Sequence, residues 1–355
     1  MLGRNKNTNN KYTINIEPKS RVVQKAISYF GDIFSRYLIM RRYRYVLINK
    51  FQSENMSVIS LIYDSLINLR NLRVRVTISE EKIIFEVANS KINFKKPDNI
   101  FGIYAILELF HQIRMYGYDI FPSPKQHSLK KYFTFSDNVL ETYSGIKFHL
   151  ESIDPWVLTE TFILKVQDSF PVSDKTILGI GASFGDTSLH FASEGAKVIA
   201  VEPVNFNHLV SNIELNPNLS NKIIPLKVAA GKTGMLEVPV QQGYNFDGNA
   251  GIERKGTVHM QVPSKSLMEI IKEAGLESVD ILKSDCKGCE NEFTIADFGL
   301  IKNFVEIECS SNISTIAKKL QKAGFQVSLR HYDPTYAKPL NVGGTIIGIK
   351  GDVFE

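Results

Sequence analysis

Two groups of residues in this 355-residue chain carry the types and spacing that chemistry needs. The first is glycine-rich. Residues 177–203 read ILGIGASFGDTSLHFASEGAKVIAVEP, with Gly179, Gly181 and Gly185 followed by Glu202, 21 residues past Gly181. The second is ILKSDCKGCE at 281–290, where Lys283, Asp285 and Glu290 flank a glycine, with Glu306 and Glu308 further on.

Glycines strip side chains from a backbone that must turn sharply and approach a ligand closely. An acid about 20 residues later, at the tip of the next strand, is placed to accept hydrogen bonds from ribose hydroxyls. The chain is therefore read as binding a nucleoside-containing cofactor. The glycines run G-x-G-x-x-x-G, and Phe184 stands where a dinucleotide fingerprint needs glycine. A cofactor without phosphate fits better, and S-adenosyl-L-methionine is the expected one. Its predicted contacts are Gly179, Gly181, Ala182, Ser183, Gly185, Asp186, Glu202, Pro203, Ala229, Ala230 and Asp285. Two competing motifs fail. Tyr143 and Lys147 precede the glycine loop, the wrong order for a short-chain dehydrogenase, and Leu226 stands where a P-loop ending at Lys232 needs glycine.

In open α/β sheets ligands bind at the carboxyl ends of the strands. Asp285, just past a predicted strand, is placed to orient or deprotonate a methyl acceptor. The plainer reading makes it the cap of a helix starting near Gly288, with Glu290 in the first turn favoured by the dipole. Alternation puts Lys283 on the side of Asp285. The predicted catalytic group is Asp285, Lys283, Glu290 and Glu308, with no metal. Methylation of exocyclic amines typically uses an Asn/Asp-Pro-Pro-aromatic signature here. The tetrapeptide is Ser284-Asp285-Cys286-Lys287, which points to an oxygen acceptor.

Alternating apolar runs and helical patterns must hold these residues. From about Asp137, strand-like segments at 176–180, 198–202, 222–228, 279–284, 303–308, 324–330 and 344–350 alternate with helices, the rhythm of an open α/β sheet. An excursion of two strands (234–240 and 257–262) is added, and the last strand is expected antiparallel. Upstream, helical patterns at 58–69 and 100–116 enclose short strands at 74–78, 82–87 and 91–94. The expected domains are a basic helical arm at 1–56, a small α+β region at 57–136 and the cofactor-binding domain at 137–355.

Hydrophobic content of 43% and charge of 22% fit a globular protein, and no apolar run approaches a membrane span. No signal peptide is expected in the polar first 20 residues. Three late cysteines (Cys286, Cys289, Cys309) argue against a disulfide scaffold and for a reducing cytoplasm. They are read as packed thiols, since zinc would need a fourth ligand and His331 is the one at hand. Residues 1–50 hold eleven Lys/Arg against Glu17 and Asp32, a balance of +9, so the remaining chain sums to −4 within the net +5.

Read together, IGASFGDTSLHFA (180–192), KVIAVEP (197–203), Asn212 and Asn216, VAAGKTG (228–234), ILKSDCKGCENE (281–292) and FVEIE (304–308) before Gly324-Phe325 resemble the FkbM-type S-adenosylmethionine-dependent methyltransferases over roughly residues 140–350. The resemblance implies a class I methyltransferase fold, a Rossmann-like seven-stranded sheet with an N-terminal α+β extension. It also implies S-adenosyl-L-methionine as donor and O-methylation of a hydroxyl on a sugar, glycan or small metabolite. Gly181, Gly185 and Glu202 take the cofactor roles, and Asp285 and Glu290 match the acidic pair near the acceptor. The chain departs at Gly179 and Lys287, where the family usually has acids, and at Ser266-Leu267-Met268 in place of Thr-Leu-Asp. Two other readings stay open. The basic, Tyr-rich stretch at 21–45 suits RNA or an anionic membrane surface, and Gly179 with Lys287 suits a cofactor-binding protein of weakened activity.

Overall fold

The structure, a computed structural model, describes residues 14–15, 56–87, 90–115, 132–240, 258–309, 311–330 and 344–351. The basic arm at 21–45, the turn holding Pro122 and Pro124, and His331 lie outside the described residues. Backbone contacts divide the chain into two units between Ile163 and Leu164, later than the expected boundary at 137.

The first unit is α+β. Strands Arg75–Ile78, Lys82–Val87 and Ser90–Lys95 form an antiparallel meander between helices Met56–Asn71 and Ile100–Met115. Alternation sends Ile83 and Phe85 inward, where the Phe85 and Phe110 rings stack at 3.6 Å. Within the segment expected as a helical arm, Ile14–Asn15 adds an edge strand to Thr77–Ile78. A second meander, Phe133–Ser136, Val139–Thr142 and Lys147–His149, falls where no strands are expected. Helix Pro155–Phe162 follows, capped by Asp154, and the Trp156 indole donates to Glu160 of the same helix at 2.8 Å.

The second unit is built on seven strands: β1 Thr176–Ile180, β2 Lys197–Val201, β3 Ile223–Leu226, β4 Val279–Ser284, β5 Ile301–Cys309, β6 Gln326–Arg330 and β7 Gly344–Ile349. Their order across the sheet is β3-β2-β1-β4-β5-β7-β6. β1 to β5 are parallel, and β7 runs antiparallel to both neighbours, as expected. Strands buried on both faces read as continuous apolar runs, and Val198–Val201 are all buried. One face carries Leu178, Ile180, Leu282, Val305 and Ile307 in a core shared with helices Leu267–Glu273 and Ile313–Lys322. The excursion is an antiparallel hairpin of Gly234–Val240 and Val258–Lys265, joined by Ala229–Ala230 as a third, parallel strand.

The order of the sheet reverses at β1, whose neighbours are β2 and β4. A crevice outside the carboxyl ends at such a switch point is where ligands bind in open α/β sheets. Both groups of chemically able residues arrive there.

Candidate active site

The glycine loop follows β1 and leads into helix α1, Asp186–Ser193. Gly181 has φ +77°, and a Cβ built on it would stand 2.2 Å from the Asp285 carbonyl oxygen. Only glycine lets the first and fourth strand ends come this close. Gly181 and Ala182 N–H both donate to Val201 O, at 2.9 and 3.0 Å. Gly185, φ +93°, starts α1, and Asp186 is buried in its first turn, where the dipole favours an acid. The Asn212 amide, fully buried on helix α2 (Phe206–Glu214), donates to Phe184 O at 2.9 Å and braces the loop from behind.

Glu202 fastens this loop to the next turn. Its Oε2 accepts the Ser183 N–H at 2.9 Å, and its Oε1 accepts those of Val204 and Asn205 at 2.7 and 2.9 Å. A carboxylate has about four lone-pair sites, so one remains for a hydroxyl. Burial pushes the carboxyl up from its usual range, against the three N–H donors. Pro203 beside it is half-buried.

Three further predicted cofactor contacts lie in strands. Gly179 lies within β1, paired with Ala200 and Lys283, and a Cβ there would find its nearest neighbour at 3.7 Å. Ala229 and Ala230 are buried in the short third sheet, their methyl groups packed in two apolar clusters.

Asp285 follows β4, and its N–H bonds Ile180 O at 2.9 Å, locking it beside the glycine loop. Lys287, in left-handed backbone at φ +53°, turns back so that its Nζ lies 2.6 Å from Asp285 Oδ1 and 3.0 Å from Glu308 Oε1. Burial pushes the Asp285 carboxyl up, but the Lys287 and Lys283 ammonium groups outweigh it and hold it below the usual carboxylate range. Burial likewise works against the Lys287 ammonium, yet Asp285 and Glu308 hold its pKa well above the usual lysine value. Lys287, which residue type alone marks only as a departure, thus pairs with two of the predicted residues, Asp285 and Glu308.

The remaining predicted groups take different places. Asp285 is not a cap: the element after Gly288 is a short 3-10 helix, Cys289–Glu292, with no side-chain cap on its first turn. Glu290 is fully buried and accepts the Gly288 N–H at 2.8 Å, so it holds the loop from inside. Lys283 is buried with its Nζ 3.8 Å from Glu306, whose two carboxylate oxygens accept no hydrogen bond. His190 on α1 is buried against Asp168 at 2.8 Å, a helix-face position.

Cys286 and Cys289 are joined in a disulfide, which overturns their reading as packed thiols; Cys309 remains a free, buried thiol. Among the described residues one group of metal-ligand atoms clusters, Cys286, Cys289 and Glu290, but its two sulfurs are bonded to each other. No described helix is long and apolar enough to cross a membrane.

Strand order and the glycine loop after β1 together define a class I methyltransferase fold. Residues 179–327, from β1 into β6, match the family model of the methyltransferase FkbM domain. Protein arginine N-methyltransferase 1 of Oryza sativa subsp. indica is 33% identical over 109 residues, 30% of this chain. The chain spans 27% of the length of that relative, and the subsp. japonica protein matches to the same extent. Solved structures resemble it more distantly. The Methanococcus jannaschii fibrillarin pre-rRNA processing protein is 13% identical, covers 78% of this chain and 97% of its own, and has a TM-score of 0.36. An O-methyltransferase family protein from Burkholderia thailandensis is 10% identical, covering 56% of this chain and 58% of its own at a TM-score of 0.34.

Proposed function

We propose that this chain is an S-adenosyl-L-methionine-dependent methyltransferase acting on a hydroxyl of a sugar, glycan or small metabolite. The observation that carries the reading is Asp285 and Lys287 at the end of β4, against the glycine loop that follows β1.

The residues present suit the donor. The glycine loop presents backbone rather than side chains, and Glu202 keeps an acceptor site for a ribose hydroxyl. The bound donor supplies an electrophilic methyl group on a sulfonium. Gly181, Ser183, Gly185 and Glu202 hold it. Asp285, kept ionised, accepts a hydrogen bond from the acceptor hydroxyl and orients its oxygen, then takes the proton as the new bond forms. Methyl transfer is an in-line displacement, so much of the rate comes from such positioning.

Lys287 supports oxygen over nitrogen as the acceptor atom. A hydroxyl losing its proton gains negative charge, which the adjacent ammonium stabilises; an amine gains positive charge, which the ammonium opposes. The same contact between Lys287 and Asp285 favours one other reading, a cofactor-binding protein with its acid permanently occupied. Turnover separates the two. Radiolabelled methyl transfer to carbohydrate, small-metabolite, protein and RNA fractions is expected to label hydroxyl-bearing carbohydrates or metabolites. Label in protein or RNA alone would overturn the acceptor class, and no label in any fraction would leave the binding protein.

A further inference from the structure

The acceptor loop contains a covalent bond that methyl transfer does not need. Cys286 and Cys289 close a ring of four residues, with Lys287 and Gly288 inside it at φ +53° and +124°. A bridge across so few residues removes little chain entropy from the unfolded state. Its effect is local, on the two residues it encloses, and Lys287 is the one set between Asp285 and Glu308.

The two sulfurs are not equivalent. Cys286 is half-buried, whereas Cys289 is 3% exposed. A nucleophile from solvent therefore meets Cys286 first. Glu290 Oε2 lies 3.3 Å from Cys286 Sγ and Ser284 Oγ lies 3.4 Å from it, so a thiol formed there has an acceptor waiting. Cys309 does not compete: burial and the nearby Glu290 and Glu308 carboxylates push its thiol up to about 12.

We infer that Cys286–Cys289 is a thiol–disulfide exchange site for a dithiol reductant, and that its bridged form holds Lys287 in the acceptor site. A reductant thiolate attacks Cys286 Sγ; a new sulfur–sulfur bond forms, the Cys286–Cys289 bond breaks, and its electron pair leaves on Cys289 Sγ. The second thiolate of the reductant displaces Cys286, and the two protein sulfurs take up the two protons. The dithiol ends as a disulfide, oxidised by two electrons, and the protein pair is reduced by two. The ring then opens and Lys287 is free to leave its left-handed conformation. The link to methyl transfer rests on the function proposed above; the exchange itself does not.

The test uses the full chain, native, before and after dithiothreitol, with iodoacetamide labelling and mass spectrometry. Before reduction no label is expected on Cys286 or Cys289; after it, both are labelled without denaturation, Cys286 first, while Cys309 stays unlabelled. Labelling of Cys286 without reductant, or reduction only after unfolding, would overturn the site. Trypsin cleavage after Lys287 is expected to be about tenfold faster in the reduced chain, following the open population of the loop. Cys286→Ser and Cys289→Ser should cleave at the reduced rate, and equal rates in both states of the wild type would overturn the claim on Lys287. Methyl turnover is expected to fall by about tenfold or more on reduction, up to the general-base contribution of about 10²–10⁴, with donor affinity unchanged. An absence of turnover in both states would count against the proposed function, while labelling and cleavage still decide the exchange site.

Discussion

Glu202 and Asp285 end the second and fourth strands on either side of β1, and the protein holds their charges in opposite ways. Glu202 is met by three neutral backbone N–H groups and pushed upward by burial. Asp285 is met by an ammonium at 2.6 Å and held downward, despite burial. The proposed donor end is thus a backbone cradle in which the acid is a fastener. The proposed acceptor end is a set of paired charges on a loop closed by a sulfur bridge. Such a difference suits the tasks proposed for each, since binding needs fixed shape and proton handling needs a group of settled charge.

The contrast breaks first at Asp285. Asp285→Asn is expected to lower methyl turnover by about 10²–10⁴-fold and to leave donor affinity in calorimetry unchanged. Wild-type turnover in that variant would make the ion pair structural only.

Gly181→Ala comes next. It places a Cβ against the Asp285 carbonyl and an L residue at φ +77°, which together should destabilise the chain by about 2–4 kcal/mol. Denaturant midpoints measure this. A neutral result would mean that the two strand ends do not meet as described.

Removing the acid at the donor end should act on binding. Glu202→Ala is expected to weaken donor affinity by about 1–3 kcal/mol, read by calorimetry. A raised folded pKa means that Glu202 gains its proton above the usual carboxylate range as pH falls, when Asp285 is still ionised. Its stability contribution is therefore greatest below the ordinary glutamate pKa and is lost as pH rises through the folded value. Asp285 runs the other way, contributing above the ordinary aspartate pKa and losing it as pH falls through its depressed value. Mild acid should accordingly weaken donor binding first, and Glu202→Gln should remove that step. A pH-independent affinity in the wild type would erase the distinction between the two acids.

The smallest effect belongs to Gly179. A Cβ there meets nothing closer than 3.7 Å, so Gly179→Ala should change stability by less than about 1 kcal/mol, toward greater stability, with donor affinity unchanged. A loss of affinity would return Gly179 to the cradle.

The large sheet was the more legible part of the chain. Apolar runs at 176–180 and 279–284 are mostly buried and bounded by turn residues, so local pattern locates them. The meander at 133–149 was missed because its strands are three or four residues long, too short to show a period. The glycines and Glu202 were legible by spacing, for a tight turn between parallel strands admits few solutions.

By itself, then, the chain's order of residues determined the strand succession, the glycine loop and the acid 21 residues beyond Gly181, because these depend on local backbone limits and a short repeat. Tertiary structure decided what each charged group faces. Lys287 reads in sequence as a lost acid, yet a left-handed turn brings it between Asp285 and a carboxylate 21 residues away on the neighbouring strand. Glu290 reads as an acceptor-side acid, and the fold buries it under its own loop. Charge pairing and burial depend on residues distant along the chain meeting across strand ends, and no local pattern encodes that meeting.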